Sequence, residues 1–404
     1  MEVNRAAARV QIGLIAVVQV LALAVWFSAT AVAPTLRGEW GLSSAEAVWL
    51  TATVQIGFAV GAVLSSGLGL ADRFPPQLLM AGSAVGAGAC TALLALTADG
   101  LAQAVPLRAL TGVFLAGVYP VGMKLTASWT APADRGRAFG ILIGALTLGS
   151  ALPQVILGTA TLPWRGVMLT AAALALVASV VAALAVKPGP LLAGGSRPQL
   201  RHVFDGFRRP LPRLANLGYF GHMWELYALW TWLPTFVLAS QAAHAGRETL
   251  GSVRDVGLTS FAAIGLAGVV GCLLGGWASD RFGRATAAGA ALAVSGLCCV
   301  LSPLAFGRSP ALLLVFVCVW GAAVIADSGV FSTALSETAD QRYVGTSLTV
   351  QTACGFSLTV VTIQLVPVLA AAVGWQYALA GLGFGPLVGV VAMVRFGRLQ
   401  QPSR

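Results

Sequence analysis

The chain has 404 residues, of which 57% are hydrophobic and only 9% charged. Soluble domains carry about 25% charged residues, so this composition, with a mean hydropathy of +0.85, excludes a soluble globular protein and implies an integral membrane protein. A formal charge of +10 would suit a nucleic-acid partner, but the placement of the basic residues along the chain gives it another explanation.

Twelve apolar windows follow one another, each about 20 residues long and so able to cross the bilayer core as a helix. Their limits are 11–33, 46–68, 77–97, 101–123, 137–160, 166–186, 214–239, 257–279, 285–305, 310–333, 345–369 and 376–394. The first window has spanning length and no clear small-residue cleavage site, so it reads as a span and not as a signal peptide. The longest hydrophilic segment, 187–213, is rich in Pro, Gly and Arg. It divides the chain into 1–186, a linker, and 214–404. With the N-terminus inside, the inner segments hold eighteen Lys and Arg and the outer ones five, Arg37, Arg165, Arg247, Arg254 and Arg308. This bias puts both termini and the linker in the cytoplasm of a multi-pass cell-membrane protein. It accounts for the net charge without nucleic acid.

The halves echo each other. Gly69-Leu70-Ala71-Asp72-Arg73-Phe74 returns as Gly276-Trp277-Ala278-Ser279-Asp280-Arg281-Phe282-Gly283-Arg284, with Asp280 lying 208 positions after Asp72. Ala133-Asp134-Arg135 returns as Ala339-Asp340-Gln341-Arg342, Trp164 as Trp375, and Ala24-Val25-Trp26 as Ala228-Leu229-Trp230. Four echoes near one offset imply an internal duplication.

These residues resemble the major facilitator superfamily of secondary transporters. Gly276, Asp280, Arg281, Gly283 and Arg284 match that family's signature loop, and Arg108 and Gly112, with Gly117 beyond, match a second signature in the fourth span. The first loop departs from the pattern: Leu68 replaces a glycine, and Pro75-Pro76-Gln77 replaces the basic end. The resemblance implies an all-α membrane fold of two pseudo-symmetric six-helix bundles that rock about a central site. It also implies work as a monomer without cofactors. The gating residues are then Asp72, Arg73, Gly276, Asp280, Arg281, Gly283 and Arg284. Asp72 and Asp280 stand just before the third and ninth spans, where they favour the positive helix N-termini. The second loop should dominate, since the first has lost its basic tail.

Four ionisable residues lie within spans: Arg108, His222, Glu225 and Asp327. Each costs about 2.5–3.5 kcal/mol or more at mid-bilayer, so such residues face a cavity or a partner. His222 and Glu225 are three apart and share a helix face with Leu229 and Trp232. Glu225 is the candidate proton-coupling carboxyl, with His222 as its partner; the alternative is a fixed hydrogen bond locking the seventh span. Arg108 would inherit the family arginine's role in proton coupling or anion binding, or else pin backbone carbonyls. Tyr119 follows on its face. Asp327 is a second proton site or gate, or a carboxyl held by Ser328 or by backbone. Trp26 and Trp232 lie deep and are candidates to line a cavity, whereas Trp40, Trp49, Trp164 and Trp375 read as an interfacial belt. Gln154 and Gln351 either line the cavity or join helices. Six cysteines in apolar runs and a lone His-x-x-Glu imply no metal site.

The expected function is proton-coupled carriage of a small solute, an organic ion, zwitterion or metabolite. Multidrug efflux is an alternative. So is a nitrate- or nitrite-type carrier, although 46–68 and 257–279 lack the arginines that group uses. A non-transporting sensor on the same fold ranks lower. With no nucleophile–base pair, an enzyme is not expected.

Overall fold

A computed structural model of the protein describes residues 5–131, 134–159, 162–192, 204–245, 253–340 and 343–400. Among them every regular element is helical. Eleven helical segments are long and apolar enough to cross a membrane. Pro210–Ala245, at 36 residues, stands outside that set because His222, Glu225 and a run of Tyr and Trp dilute its apolar content. All twelve windows are thus helical, and several helices run past the expected limits.

Three windows are broken in mid-course. The first comprises Arg5–Leu23, then Ser28–Ala31 and Ala33–Trp40. The fourth comprises Leu101–Leu115 and Tyr119–Ser128, and the tenth Pro310–Ile325 and Ser328–Thr338. Pro120 lies in the first turn of Tyr119–Ser128. Its ring excludes the hydrogen bond that would continue the preceding helix, so the chain restarts there. The eighth window has a π-helical segment, Phe261–Ala267, between Val253–Ser260 and Gly268–Phe282.

The duplication is visible in the packing. A Cβ on Gly112 would lie 2.2 Å from the Val54 carbonyl oxygen, and one on Gly321 would lie 2.1 Å from that of Ala263. Gly321 follows Gly112 by 209 positions, and Ala263 follows Val54 by the same 209. The second and fourth spans therefore touch backbone to backbone just as the eighth and tenth do. Only a residue without a side chain permits this approach.

Two seams join the halves. Arg135–Thr159 lies along Val253–Ser260 and Gly268–Phe282, and Trp49–Gly67 lies along Val344–Val373. The first seam is close at both ends: a Cβ on Gly276 would sit 2.7 Å from Gly136 O, and one on Gly257 2.7 Å from Gln154 O. The start of the linker is tied to the N-terminal half, where Trp129 Nε1 donates to Lys187 O and Gly189 N donates to Ser128 Oγ, both at 2.8 Å. Residues 193–203 of the linker, and Gln341 and Arg342 of one echo, lie outside the described residues.

Candidate functional site

Between the halves lies a cluster of rings. Trp26 and Phe58 have centroids 4.9 Å apart, Phe58 and Phe356 4.4 Å, and Tyr227 and Phe356 5.2 Å. Trp26 stacks on Tyr227 at 5.8 Å, and Trp230 meets Tyr227 at 5.6 Å and Phe27 at 5.7 Å. Trp26, Phe27 and Phe58 belong to the first half; Tyr227, Trp230 and Phe356 belong to the second. All six are buried. Trp26 is packed into this cluster, and its echo Trp230 stands beside the same tyrosine. Tyr119, at the restart of the fourth span, borders the cluster 6.5 Å from Phe58.

The broken spans hold each other. Arg108 is fully buried and donates from Nε to Leu50 O, from Nη1 to Val25 O, both at 2.9 Å, and from Nη2 to Trp26 O. Val25 and Trp26 sit where the first helix opens, so their carbonyls have lost intrahelical donors. In lipid such groups need a protein partner. Gln19 reciprocates: its Nε2 donates at 3.1 Å to Val118 O, in the break of the fourth span. Of the two readings of Arg108, this geometry is the pinning of backbone carbonyls.

A second polar group lies inside the C-terminal half. Glu225 Oε1 accepts from Trp320 Nε1 at 2.5 Å and from Cys299 Sγ at 3.3 Å. Glu225 Oε2 makes no aligned hydrogen bond, although the residue is fully buried and Ser295 stands beside the carboxyl. His222 does not pair with Glu225. Its Nδ1 is 2.8 Å from Asp327 Oδ1, a close contact that is not an aligned hydrogen bond, and its Nε2 meets Ser328 Oγ at 2.9 Å. The seventh and tenth spans run antiparallel here, so one turn back along the seventh means about two turns forward along the tenth. Each polar residue therefore meets its own partner. The break at Ala326–Asp327 frees Asp327 to turn towards His222.

At the seam, Asp280 bears on the fifth span. A Cβ on Gly136 would lie 2.1 Å from Asp280 Oδ1, so the carboxylate rests against the first turn of Arg135–Thr159. The positive end of that helix favours it. The expected target was the ninth span. The eighth helix instead runs on through Phe282 and turns at Gly283, whose φ of +86° favours glycine. This leaves Asp280 in a last helical turn that faces across the seam. Arg284 Nη1 reaches Asp280 Oδ1 at 2.9 Å and Ser279 Oγ at 2.7 Å, and Nη2 reaches Glu337 Oε1 at 3.1 Å. The first loop does have a cation: Lys124 Nζ, from the fourth span, donates to Asp72 Oδ1 and to Ala71 O. Arg73 and Arg281 are exposed.

The family model described as Major Facilitator Superfamily matches residues 15–363, the greater part of the chain. The chain belongs to the Major Facilitator Superfamily. Among similar proteins, a probable sulfoacetate transporter of Cupriavidus necator is 27% identical over 63% of this chain and 60% of its own length. A D-galactonate transporter of Escherichia coli is 25% identical over 46% and 48%. A gallate transporter of Pseudomonas putida is 24% identical over 67% and 65%. The chain thus spans about half to two thirds of these relatives.

Within this superfamily chain two of the remaining candidates, Trp232 and Gln351, join helices. Trp232 Nε1 donates to Ile363 O at 2.9 Å, with its ring on Trp375 and away from the ring cluster. Gln351 Nε2 donates to Asn216 Oδ1 at 3.0 Å. Gln154 is buried in the fifth span, beside the seam. Sequence reasoning passed over Trp320 as a partner for Glu225, and over Gln19, Phe58 and Phe356, which read as ordinary apolar or helix-packing residues; Ser328, expected to hold Asp327, meets His222. Trp230 and Lys124 carried signals, an echo of Trp26 and a lone lysine at the end of a signature span.

Proposed function

We propose that the chain is a secondary transporter and not an enzyme, and that it carries a small organic acid across the cell membrane by alternating access coupled to protons. Membership of the superfamily supports carriage of a small solute, and relatives named for sulfoacetate, D-galactonate and gallate support an acid. Proton coupling rests on one observation: Glu225 is buried with one oxygen held by Trp320 and Cys299 and the other making no aligned hydrogen bond. In this reading that second oxygen takes up and releases the proton. Tyr227, two residues further along the same helix, belongs to the ring cluster, so the protonation of Glu225 and the packing of the centre share one rigid element.

The halves move as two bodies, 1–186 and 214–404, joined by the linker 187–213. With both termini cytoplasmic, the Asp280–Gly136 contact and the Arg284 bridge lie at the cytoplasmic end. Both cross or brace the first seam when it is closed, so they favour closure there. Loading from outside and protonation of Glu225 shift the balance, the seam parts, and solute and proton leave to the cytoplasm. A single chain supplies every group this cycle uses.

The test is transport into liposomes holding the purified protein. A proton gradient imposed across the membrane is expected to drive uphill accumulation of an organic acid, and a protonophore to abolish it. Accumulation indifferent to the protonophore removes proton coupling. An absence of carriage or exchange for every acid in a broad panel removes the transporter reading.

A further inference from the structure

We infer that the ring cluster between the halves is a slot for a flat aromatic monocarboxylate, which the indole N–H groups of Trp26 and Trp230 hold by its acid group. The inference rests on the transporter reading for its location and adds the class of solute.

The first observation is an unmet demand for acceptors. Trp26 Nε1 and Trp230 Nε1 have no hydrogen-bond partner, although the side chains are 0% and 2% exposed. Buried polar groups are seldom left unpaired. An indole nitrogen only donates, so the group that completes this pair is an acceptor. A carboxylate fits, with two oxygens for two donors. An ammonium group offers only more donors.

The second is the arrangement of the rings. Trp26 and Tyr227 are stacked with planes 20° apart, and Phe27 and Tyr227 with planes 9° apart. Each of these pairs joins one half to the other. A solute that enters between the halves parts these rings, and a flat aromatic ring restores the contacts that it breaks. A saturated ring or a polyhydroxylated chain of the same size lacks the face to do so.

The third is charge. Arg108 is held by three carbonyls, and both nitrogens of His222 are engaged by Asp327 and Ser328. No cation among the described residues is therefore free at the ring cluster, and two neutral N–H donors suit one negative charge better than two. Trp26 and Trp230 are also the two members of one sequence echo. A carboxylate held by both would draw equivalent points of the two halves together.

The experiment measures displacement of labelled benzoate from purified full-length protein in lipid nanodiscs. The competitors are cyclohexanecarboxylate, phthalate and benzyltrimethylammonium. Benzoate is expected to bind about tenfold or more tighter than cyclohexanecarboxylate, with phthalate and the cation weaker still. Trp230→Phe keeps a ring and removes the N–H, so it should weaken benzoate about tenfold, the loss of one buried hydrogen bond. Trp26→Phe should do the same, and whichever variant remains monodisperse serves. Equal binding of the saturated acid, tighter binding of the cation, or unchanged affinity in a well-folded Trp→Phe variant overturns the inference. If the liposomes accumulate other acids while benzoate neither binds nor competes, the slot is wrong and transport stands. If benzoate binds with this selectivity and nothing is carried, the slot stands and the transporter reading falls.

Discussion

His222 Nδ1 lies 2.8 Å from Asp327 Oδ1, and both side chains are 1% exposed. Two helices that meet at a buried pair of this kind are tied more firmly by the cost of breaking it than by the attraction itself. Removing one partner leaves the other alone in a medium of low dielectric, at about 3–5 kcal/mol. Asp327→Asn and His222→Gln should each lower the thermal unfolding midpoint of the purified protein. The double variant should lose less than the sum of the two, because the second change removes a group already stranded. Strict additivity in a thermal unfolding series would show that the pair is not coupled.

Glu225→Gln keeps the size of the side chain and its acceptor oxygen for Trp320 but cannot exchange a proton. We expect uphill accumulation to be lost while exchange of labelled for unlabelled solute continues. Counterflow and gradient-driven uptake in the same liposomes separate the two. Full accumulation by the variant would place the coupling proton elsewhere.

Arg108→Lys retains the charge and forfeits the fork. One ammonium group cannot reproduce three bonds directed to Leu50, Val25 and Trp26. Each carbonyl left unpaired costs about 1–3 kcal/mol, so the expected result is a large fall in folded yield and in unfolding midpoint. A stable variant with a raised KM would instead assign Arg108 to the solute.

Gly112→Ala and Gly321→Ala should behave alike. Their Cβ atoms would lie 2.2 and 2.1 Å from backbone oxygens, and a backbone contact cannot give way as a flexible side chain can. Overpacking costs about 1–3 kcal/mol and often more at such contacts. Gly82→Ala, with nothing within 4 Å, is the control and should be neutral. Size-exclusion profiles of the three variants give the comparison.

Asp280→Asn removes the charge that faces the first turn of the fifth span and weakens the hold of Arg284. Cys272 is buried in the same seam, with its sulfur 3.8 Å from Thr147 Oγ1. In a protein whose only cysteine is Cys272, the variant should be labelled several-fold faster by a membrane-permeant maleimide, the expected result of a modest shift of a two-state balance. Unchanged labelling would leave Asp280 without a part in closing the seam.

The sequence by itself determined the helical membrane fold, because twenty apolar residues in a row have one stable arrangement in lipid. It also determined the duplication, since Asp72 and Asp280, or Trp26 and Trp230, keep their spacing whatever the helices do. The four intramembrane ionisable residues were legible for the same reason: their cost in hydrocarbon is local. Which group each of them meets was decided by the tertiary structure alone. Glu225 and Trp320 are 95 positions apart, His222 and Asp327 are 105, and Arg108 and Val25 are 83. Partners at such separations are chosen by how far each helix is rotated and where it breaks. The breaks at Val25 and Val118 leave carbonyls that find donors on other helices, and the break at Asp327 turns a carboxyl towards His222. Hydropathy averages over those breaks. Only the packed bundle shows that the arginine goes to the broken first helix, the histidine to Asp327 and the acid to a tryptophan.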